Sequence, residues 1–484
     1  MERRTFIKTG LAAAALVWTS GAAGLVRPLA AGSGPAGEDF TRELPVPPLL
    51  ENLDNAPDSV RVALRVQQGT REFFPGRATQ TLGYNGDYLG PTIRVRQGQR
   101  FRASVHNTLS QTTTLHWHGL HVPAQWDGGP RQPIPAGARW NPDFTIKQQA
   151  ATLWYHPHAM GLTGEQVYRG LAGLFLIEDE VSDRLDLPRT YGKDDIPLIF
   201  QDRRFFENGQ FAYVQNRMDI VTGVIGNFLL VNGVIQPTLK VHAGPVRLRL
   251  LNGSNSALYR IAFADGQRFG VIASDGGFLE RPVTLSSLVL SAGERAEVVV
   301  DFTGRSPGQQ VSLLVDQYNG TRFEALRIRV DRAAETKVKL PAVLRPFDRI
   351  PASEATVRRS FLMETMGMGG TLSINGKKMD LNRIDERVSL GATEIWEITN
   401  RTAMMMSGPH SMHLHDVQFL ILDRDGKAPP PHEQGRKDTV LVMPGETVRI
   451  ISRFLDYTGV YMYHCHLLEH EDDGMMGQFE VVQP

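Results

Sequence analysis

One pattern recurs three times along the chain, and it limits the fold more than any other feature. A turn opens a short β-rich run, and a small turn ending in glycine later precedes another strand. The first copy is Gly90-Pro91-Thr92-Ile93-Arg94-Val95, with Pro135-Ala136-Gly137-Ala138 further on. The second is Val231-Asn232-Gly233 and Pro237-Thr238-Leu239-Lys240-Val241, followed by Ser291-Ala292-Gly293-Glu294. The third is Ile374-Asn375-Gly376, followed by Met443-Pro444-Gly445-Glu446. Repetition of this kind points to one supersecondary unit used three times. The 484 residues agree with that at roughly 150 residues per domain. Runs such as Thr92–Val95, Val246–Leu250 and Thr447–Ile451 are β-branched and apolar, and the chain's 47 Gly and 29 Pro punctuate them closely. An all-β fold of sandwich domains is therefore expected, with domains at 45–180, 190–335 and 350–484. The candidate linkers are Asp179–Asp195 and Ala333–Pro351.

Charge excludes some functions. Lys+Arg and Asp+Glu are both 52, so the formal net charge is zero, which speaks against a nucleic-acid binder or a polybasic membrane-surface protein. At the N-terminus Arg3 and Arg4 precede a short, Ala- and Gly-rich apolar stretch from Gly10 to Val26 that ends near Ala30, Ala31 and Gly32. Residues 1–32 thus read as a twin-arginine export signal, which implies passage through the twin-arginine translocation machinery to a periplasmic or extracellular location. No later segment approaches the roughly 20 apolar residues of a membrane span, so no stable membrane insertion is expected. Cys465 is the chain's single cysteine; it cannot form an internal disulfide and is a candidate metal ligand.

Ten of the 14 histidines fall into four groups: His116 and His118; His156 and His158; His410, His413 and His415; His464, His466 and His470. Each group contains a His-x-His pair in a run that reads as a strand. Residues two apart on a strand share a face, so each pair offers two imidazoles side by side. Four such pairs are enough for several metal ions and too many for one. In His464-Cys465-His466 the thiolate falls on the opposite face from its flanking histidines. One metal can then bind Cys465 while others bind His464 and His466, with a few covalent bonds between the centres. His410, Cys465, His470 and Met475 make up the two-His, one-Cys, weak-Met set of a blue-copper electron-transfer site. A zinc site would use more cysteine, or a carboxylate and open water.

His116-Trp117-His118-Gly119, His156-Pro157-His158, His410-x-x-His413-x-His415 and His464-Cys465-His466-x-x-x-His470-x-x-x-x-Met475 resemble, in order, the four copper motifs of multicopper oxidases. The resemblance covers essentially the whole mature chain. It is nearest to three-domain bacterial laccases and the periplasmic copper efflux oxidase, whose branch is also matched by Val122-Pro123, Asp127-Gly128-Gly129-Pro130 and Leu467-Leu468-Glu469-His470-Glu471-Asp472. It implies three cupredoxin-like Greek-key β-sandwich domains and four copper ions; a monomer is expected, although the sequence does not fix the oligomeric state. His410, Cys465, His470 and Met475 would hold the type 1 copper, and His116 and His413 the type 2 copper. His118, His156 and His466 would hold one type 3 copper, and His158, His415 and His464 the other. Asp127 and Glu471 take the places of proton-relaying acids. The second domain would be a structural spacer. The implied reaction withdraws electrons from a phenol, an aromatic amine or Cu(I) and reduces O2 to water. Some exported relatives keep the fold, lack the ligands and act in cell division; the complete ligand set here speaks against that, and against copper storage. No long Met-rich insertion is present. Met363, Met366 and Met368, and Met404, Met405 and Met406, are either Cu(I) ligands or packing residues. The acidic residue expected before the type 1 histidine is replaced by Met406-Ser407-Gly408-Pro409. Without the insertion, a type 1 site more open to phenols is expected.

Overall fold

The computed structural model describes residues 40–333, 339–365, 372–401 and 408–484. The export segment and Met366, Met368, Met404, Met405 and Met406 lie outside the described residues; Met363 is inside them and is fully buried in an apolar core, as a packing residue would be.

The strands fall into three consecutive sets, each forming two facing sheets. The first set gives a five-stranded sheet around Ser59–Phe74 and Arg100–Asn107, and a four-stranded sheet of Ile93–Arg96, Gly173–Glu178, Ala151–His156 and His116–His118. The second gives sheets of seven and five strands, and the third two sheets of five. The sequence repeat reappears as topology. In every set, one parallel pair ties each sheet together across an otherwise antiparallel arrangement. In one sheet these pairs are Ser59–Phe74 with Arg100–Asn107, Asp195–Arg203 with Pro245–Asn252, and Val357–Glu364 with Thr393–Arg401. In the other they are Ile93–Arg96 with Gly173–Glu178, Thr238–Ala243 with Arg322–Ala333, and Glu386–Ser389 with Met476–Val482. Parallel neighbours require a crossover between sheets, which is what makes each unit a Greek-key sandwich rather than a meander.

Alternation decides what each strand buries. In His116–His118 the middle residue, Trp117, turns into the first sandwich and meets Phe101 edge-on at 5.4 Å. The flanking histidines therefore face out of that sandwich. In the third sandwich Trp396 packs on Phe361 at 4.5 Å and on Tyr463 at 5.9 Å. Truncating a core aromatic such as Trp396 to alanine would cost about 3–5 kcal/mol.

Candidate metal centres

Parity along two strands separates the candidate ligands into two groups. On His410–Leu414, the side chains of His410, Met412 and Leu414 share one face, and Ser411 and His413 share the other, which the chain continues to His415. Met412 and Leu414 belong to the apolar core of the third sandwich, and so does Cys465 on Gly459–Cys465, together with Tyr463. His410 and Cys465 thus meet inside the sandwich, while His413, His415 and His464 face outwards to the histidines of the first.

At the inner site His410 Nδ1 lies 3.3 Å and His470 Nδ1 3.6 Å from Cys465 Sγ. His470 Nε2 donates to the Val221 carbonyl at 3.1 Å, and His410 Nε2 lies 2.9 Å from Thr365 Oγ1. With the outer nitrogens so occupied, both Nδ1 atoms face the sulfur and are left for a metal between them. Met475 is fully buried in the same apolar cluster. Its carbonyl accepts from Cys465 N–H at 3.0 Å and its N–H donates to His470 O at 2.8 Å. Burial pushes the Cys465 thiol up to about 12, so only a bound cation would make it a thiolate near neutral pH. The expected openness is not found. His410 is 0% and His470 2% exposed; the short helix Arg217–Thr222 of the middle domain lies over His470 and presents Val221 to it.

At the outer site the imidazoles converge between the first and third sandwiches. His158 Nε2 and His415 Nε2 lie 3.1 and 3.2 Å from His464 Nε2. A metal held at about 2 Å by nitrogens at near-tetrahedral angles keeps them about 3.3 Å apart, so the spacing fits one ion at their centre. His118 Nδ1 and His156 Nε2 are 3.3 Å apart, and the His466 ring lies 4.9 and 5.4 Å from theirs. His116 Nδ1 donates to Asp127 O at 2.9 Å, and His413 Nδ1 to Asp438 O at 2.8 Å. The Nε2 atoms of both, and both ring nitrogens of His466, are buried with no hydrogen-bond partner. Buried polar atoms are rarely left so, and orphaned imidazole nitrogens in a ring of histidines suit copper. Burial lowers every one of these histidines, His464 to about 4, which keeps the rings neutral as ligands must be.

The two acids stand behind the ligands. Asp127 Oδ2 accepts from His415 Nδ1 at 2.7 Å, and Glu471 lies 3.1 Å from His158 Nδ1 and 3.3 Å from His464 Nδ1. Neither is a surface residue: Asp127 is 3% and Glu471 1% exposed. Burial raises both carboxyls, Asp127 to about 6.

Two details depart from the expectation of strands throughout. His158 and His466 lie just past the ends of Ala151–His156 and Gly459–Cys465. Pro157, which has no N–H, ends the first of these ladders. Sequence reasoning also missed Asp438, Arg295, Thr365 and Val221. Asp438 joins His118 and His413 in a further cluster of three buried metal-ligating groups, but both its oxygens are taken by Arg295, at 2.7 and 2.6 Å. It is therefore a support for the ligands and not one of them.

Family profiles described as multicopper oxidase match residues 65–182, 201–320 and 351–484. The multicopper oxidase mco of Staphylococcus haemolyticus is 39% identical over 86% of this chain and 88% of its own length. The cell division protein FtsP of Escherichia coli is 36% identical over 99% of both chains. Among solved structures, the laccase-like multicopper oxidase CueO of Ochrobactrum sp., described with oxidase activity towards lignin model compounds and lignosulfonate, superposes with a TM-score of 0.83 at 40% identity. That match covers 91% of this chain and 100% of the other.

Proposed function

The chain belongs to the multicopper oxidase family, and from that premise we propose that it is a laccase-like oxidase that takes single electrons from a small reducing substrate and passes them to O2. One observation carries this reading. Adjacent residues of a single strand serve two donor sets, Cys465 meeting His410 and His470 while His464 meets His158 and His415. Wiring of this kind has a use in electron transfer and none in storage.

His410, Cys465, His470 and Met475 would hold a type 1 copper. His116 and His413 would hold the type 2 copper, His118, His156 and His466 one type 3 copper, and His158, His415 and His464 the other. When bound, the first copper supplies one-electron acceptance and the other three the four-electron reduction of oxygen to water. The chain's own contribution is orientation and proton supply. The Val221 carbonyl holds the proton of His470 on Nε2, leaving Nδ1 free for metal. The Asp127 side chain holds His415 in the same way through its Nδ1. Asp127 Oδ1 is buried without a hydrogen-bond partner, and Glu471 sits against two histidines, so both acids are placed to pass protons to oxygen. The substrate proposed is a phenol or aromatic amine, with Cu(I) as the alternative donor. The activity described for the Ochrobactrum relative supports the phenolic class. Export by the twin-arginine route to the periplasm or beyond, as a monomer in domains 45–180, 190–335 and 350–484, completes the reading; among the described residues no helix is long and apolar enough to cross a membrane.

A second reading, an exported cell-division protein without turnover, is favoured by the match to FtsP along 99% of both chains. The full set of twelve candidate ligands opposes it, since a scaffold has no need to bury ten histidines. Oxygen uptake by the copper-loaded protein decides. Uptake driven by a phenol supports the laccase reading, and uptake driven chiefly by cuprous ion would make the protein a cuprous oxidase. No uptake with either donor, in protein holding its full copper, would refute the enzyme.

A further inference from the structure

The middle domain supplies none of the candidate ligands, yet it reaches the outer histidine site through one turn. This is Ser291–Arg295, the second copy of the glycine turn that recurs along the sequence. Its residues touch the machinery of the third domain, Ala292, Gly293 and Arg295 most directly. A Cβ on Gly293 would lie 3.0 Å from three atoms of the His466 ring, so the glycine lets the turn pack flat against that imidazole. Ala292 O accepts from Ser411 Oγ at 2.9 Å, and Ser411 O in turn accepts from His466 N–H at 2.5 Å. Arg295, wholly buried, grips Asp438 with two parallel hydrogen bonds of 2.7 and 2.6 Å.

Asp438 then faces two candidate ligands. Its Oδ1 accepts from His118 Nε2 at 3.0 Å and from Thr439 Oγ1 at 2.9 Å, and its carbonyl accepts from His413 Nδ1 at 2.8 Å. With the proton of His118 held on Nε2, its Nδ1 is left to face His156; with the proton of His413 on Nδ1, its Nε2 faces the site. The two rings stack at 3.7 Å, so a tilt in one moves the other. The guanidinium is itself fixed: its Nε donates to Thr152 O at 3.2 Å, and its terminal nitrogens to Gly293 O at 3.0 Å and Asp275 O at 3.2 Å. Lys437, next to Asp438, is buried between Asp275 at 2.9 Å and Glu294 at 3.0 Å. Room for the Arg295–Asp438 pair depends on Gly119, directly after His118, where a Cβ would strike Asp438 Oδ2.

We infer that Arg295 is a positioning residue of the outer copper site, acting from the middle domain through Asp438 to fix which nitrogen His118 and His413 present to metal. The middle domain is thus a third wall of that site and more than a spacer. This rests on the oxidase reading above. Arg295→Met and Arg295→Lys test it, lysine keeping the charge but not the two-pronged grip. Copper per chain, the type 2 electron paramagnetic resonance signal, the blue type 1 absorption and the split of kcat from KM are measured beside the wild type. The methionine variant is expected to keep the blue absorption, alter or lose the type 2 signal, and lose about 10–100-fold in kcat at unchanged KM, the usual effect of removing a ligand's supporting partner. Lysine is expected to fall between the two. A blue variant with an unchanged type 2 signal and kcat within about twofold of wild type would overturn the inference. So would failure of both variants to fold, which would make Arg295 a purely structural residue. A wild-type chain that holds only the type 1 copper would sink the oxidase reading and this inference with it, and so separates the two failures.

Discussion

Glu297→Gln asks how firmly the middle domain is fastened to the strand that carries His156. Glu297 is buried beside that strand. Its Oε1 accepts from the Thr152 hydroxyl at 2.6 Å and from Arg249 at 3.0 Å, and its Oε2 accepts from Arg247 Nε at 2.8 Å. Burial raises its carboxyl, but Arg247 and Arg249 more than offset this and bring it down to about 2 from an ordinary 4.5. That difference corresponds to about 3 kcal/mol of stability at neutral pH, at roughly 1.4 kcal/mol for each pH unit. Because the folded value lies below the unfolded one, the contribution is complete above pH 4.5 and is lost as pH falls towards about 2. Glutamine keeps the shape but removes the charge between the two guanidinium groups, and breaking a buried pair costs on this scale. For a urea slope of about 2 kcal/mol/M, the value for a unit the size of one domain, the midpoint of the middle domain's transition should fall by about 1.5 M at pH 7. At pH 3 only about 1.4 kcal/mol remains to be lost, so the fall should shrink to about 0.7 M. Tryptophan fluorescence is the assay, since Trp154 lies fully buried on the same strand as Thr152. A change at pH 7 under about 0.3 M, or equal changes at the two pH values, would refute the reasoning.

Three other substitutions have definite expected outcomes. Cys465→Ser should abolish the blue colour of the copper-loaded protein while leaving the outer histidines able to bind metal; a blue serine variant would overturn the ligand assignment, and an absorption spectrum suffices. Met475→Leu should keep the colour and raise the reduction potential, because a weak donor to the oxidised metal is lost; redox titration reads it, and an unmoved potential would make Met475 packing alone. Gly128→Ala should destabilise the fold by about 1–3 kcal/mol or more, since φ is +77° there and a Cβ would overlap the Leu115 carbonyl beside His116. Its melting temperature should drop and its copper content fall with it, and an unchanged melting curve would contradict the packing described.

The candidate ligands were legible in the sequence because their chemistry is local. A strand puts residues two apart on one face, so His116 with His118, and His464 against Cys465, declare their partition without any knowledge of the third dimension. The spacing of His410 and His413 carries the same information, an odd interval that sends one ring into the sandwich and the other out of it. The repeat of glycine turns announced three units for a similar reason. What could not be read was how distant segments meet. Asp438 belongs to no recognisable motif, and its importance comes from Arg295, 143 positions away. Val221 acts through a backbone carbonyl, which any residue could offer, and only the placement of Arg217–Thr222 over His470 gives it a role. The expected open type 1 site failed on the same ground: a missing insertion says nothing about which neighbouring domain fills the space.

The central claim is that two donor sets act together to carry single electrons to oxygen, and stoichiometry tests it most directly. The copper-loaded protein would be given a one-electron phenolic donor in limiting oxygen, and donor oxidised, oxygen consumed and peroxide formed would be measured together. Four donors oxidised for each O2, without peroxide, is the predicted result. Two donors for each O2 with peroxide accumulating, or no oxygen consumption by the fully loaded protein, would contradict the account.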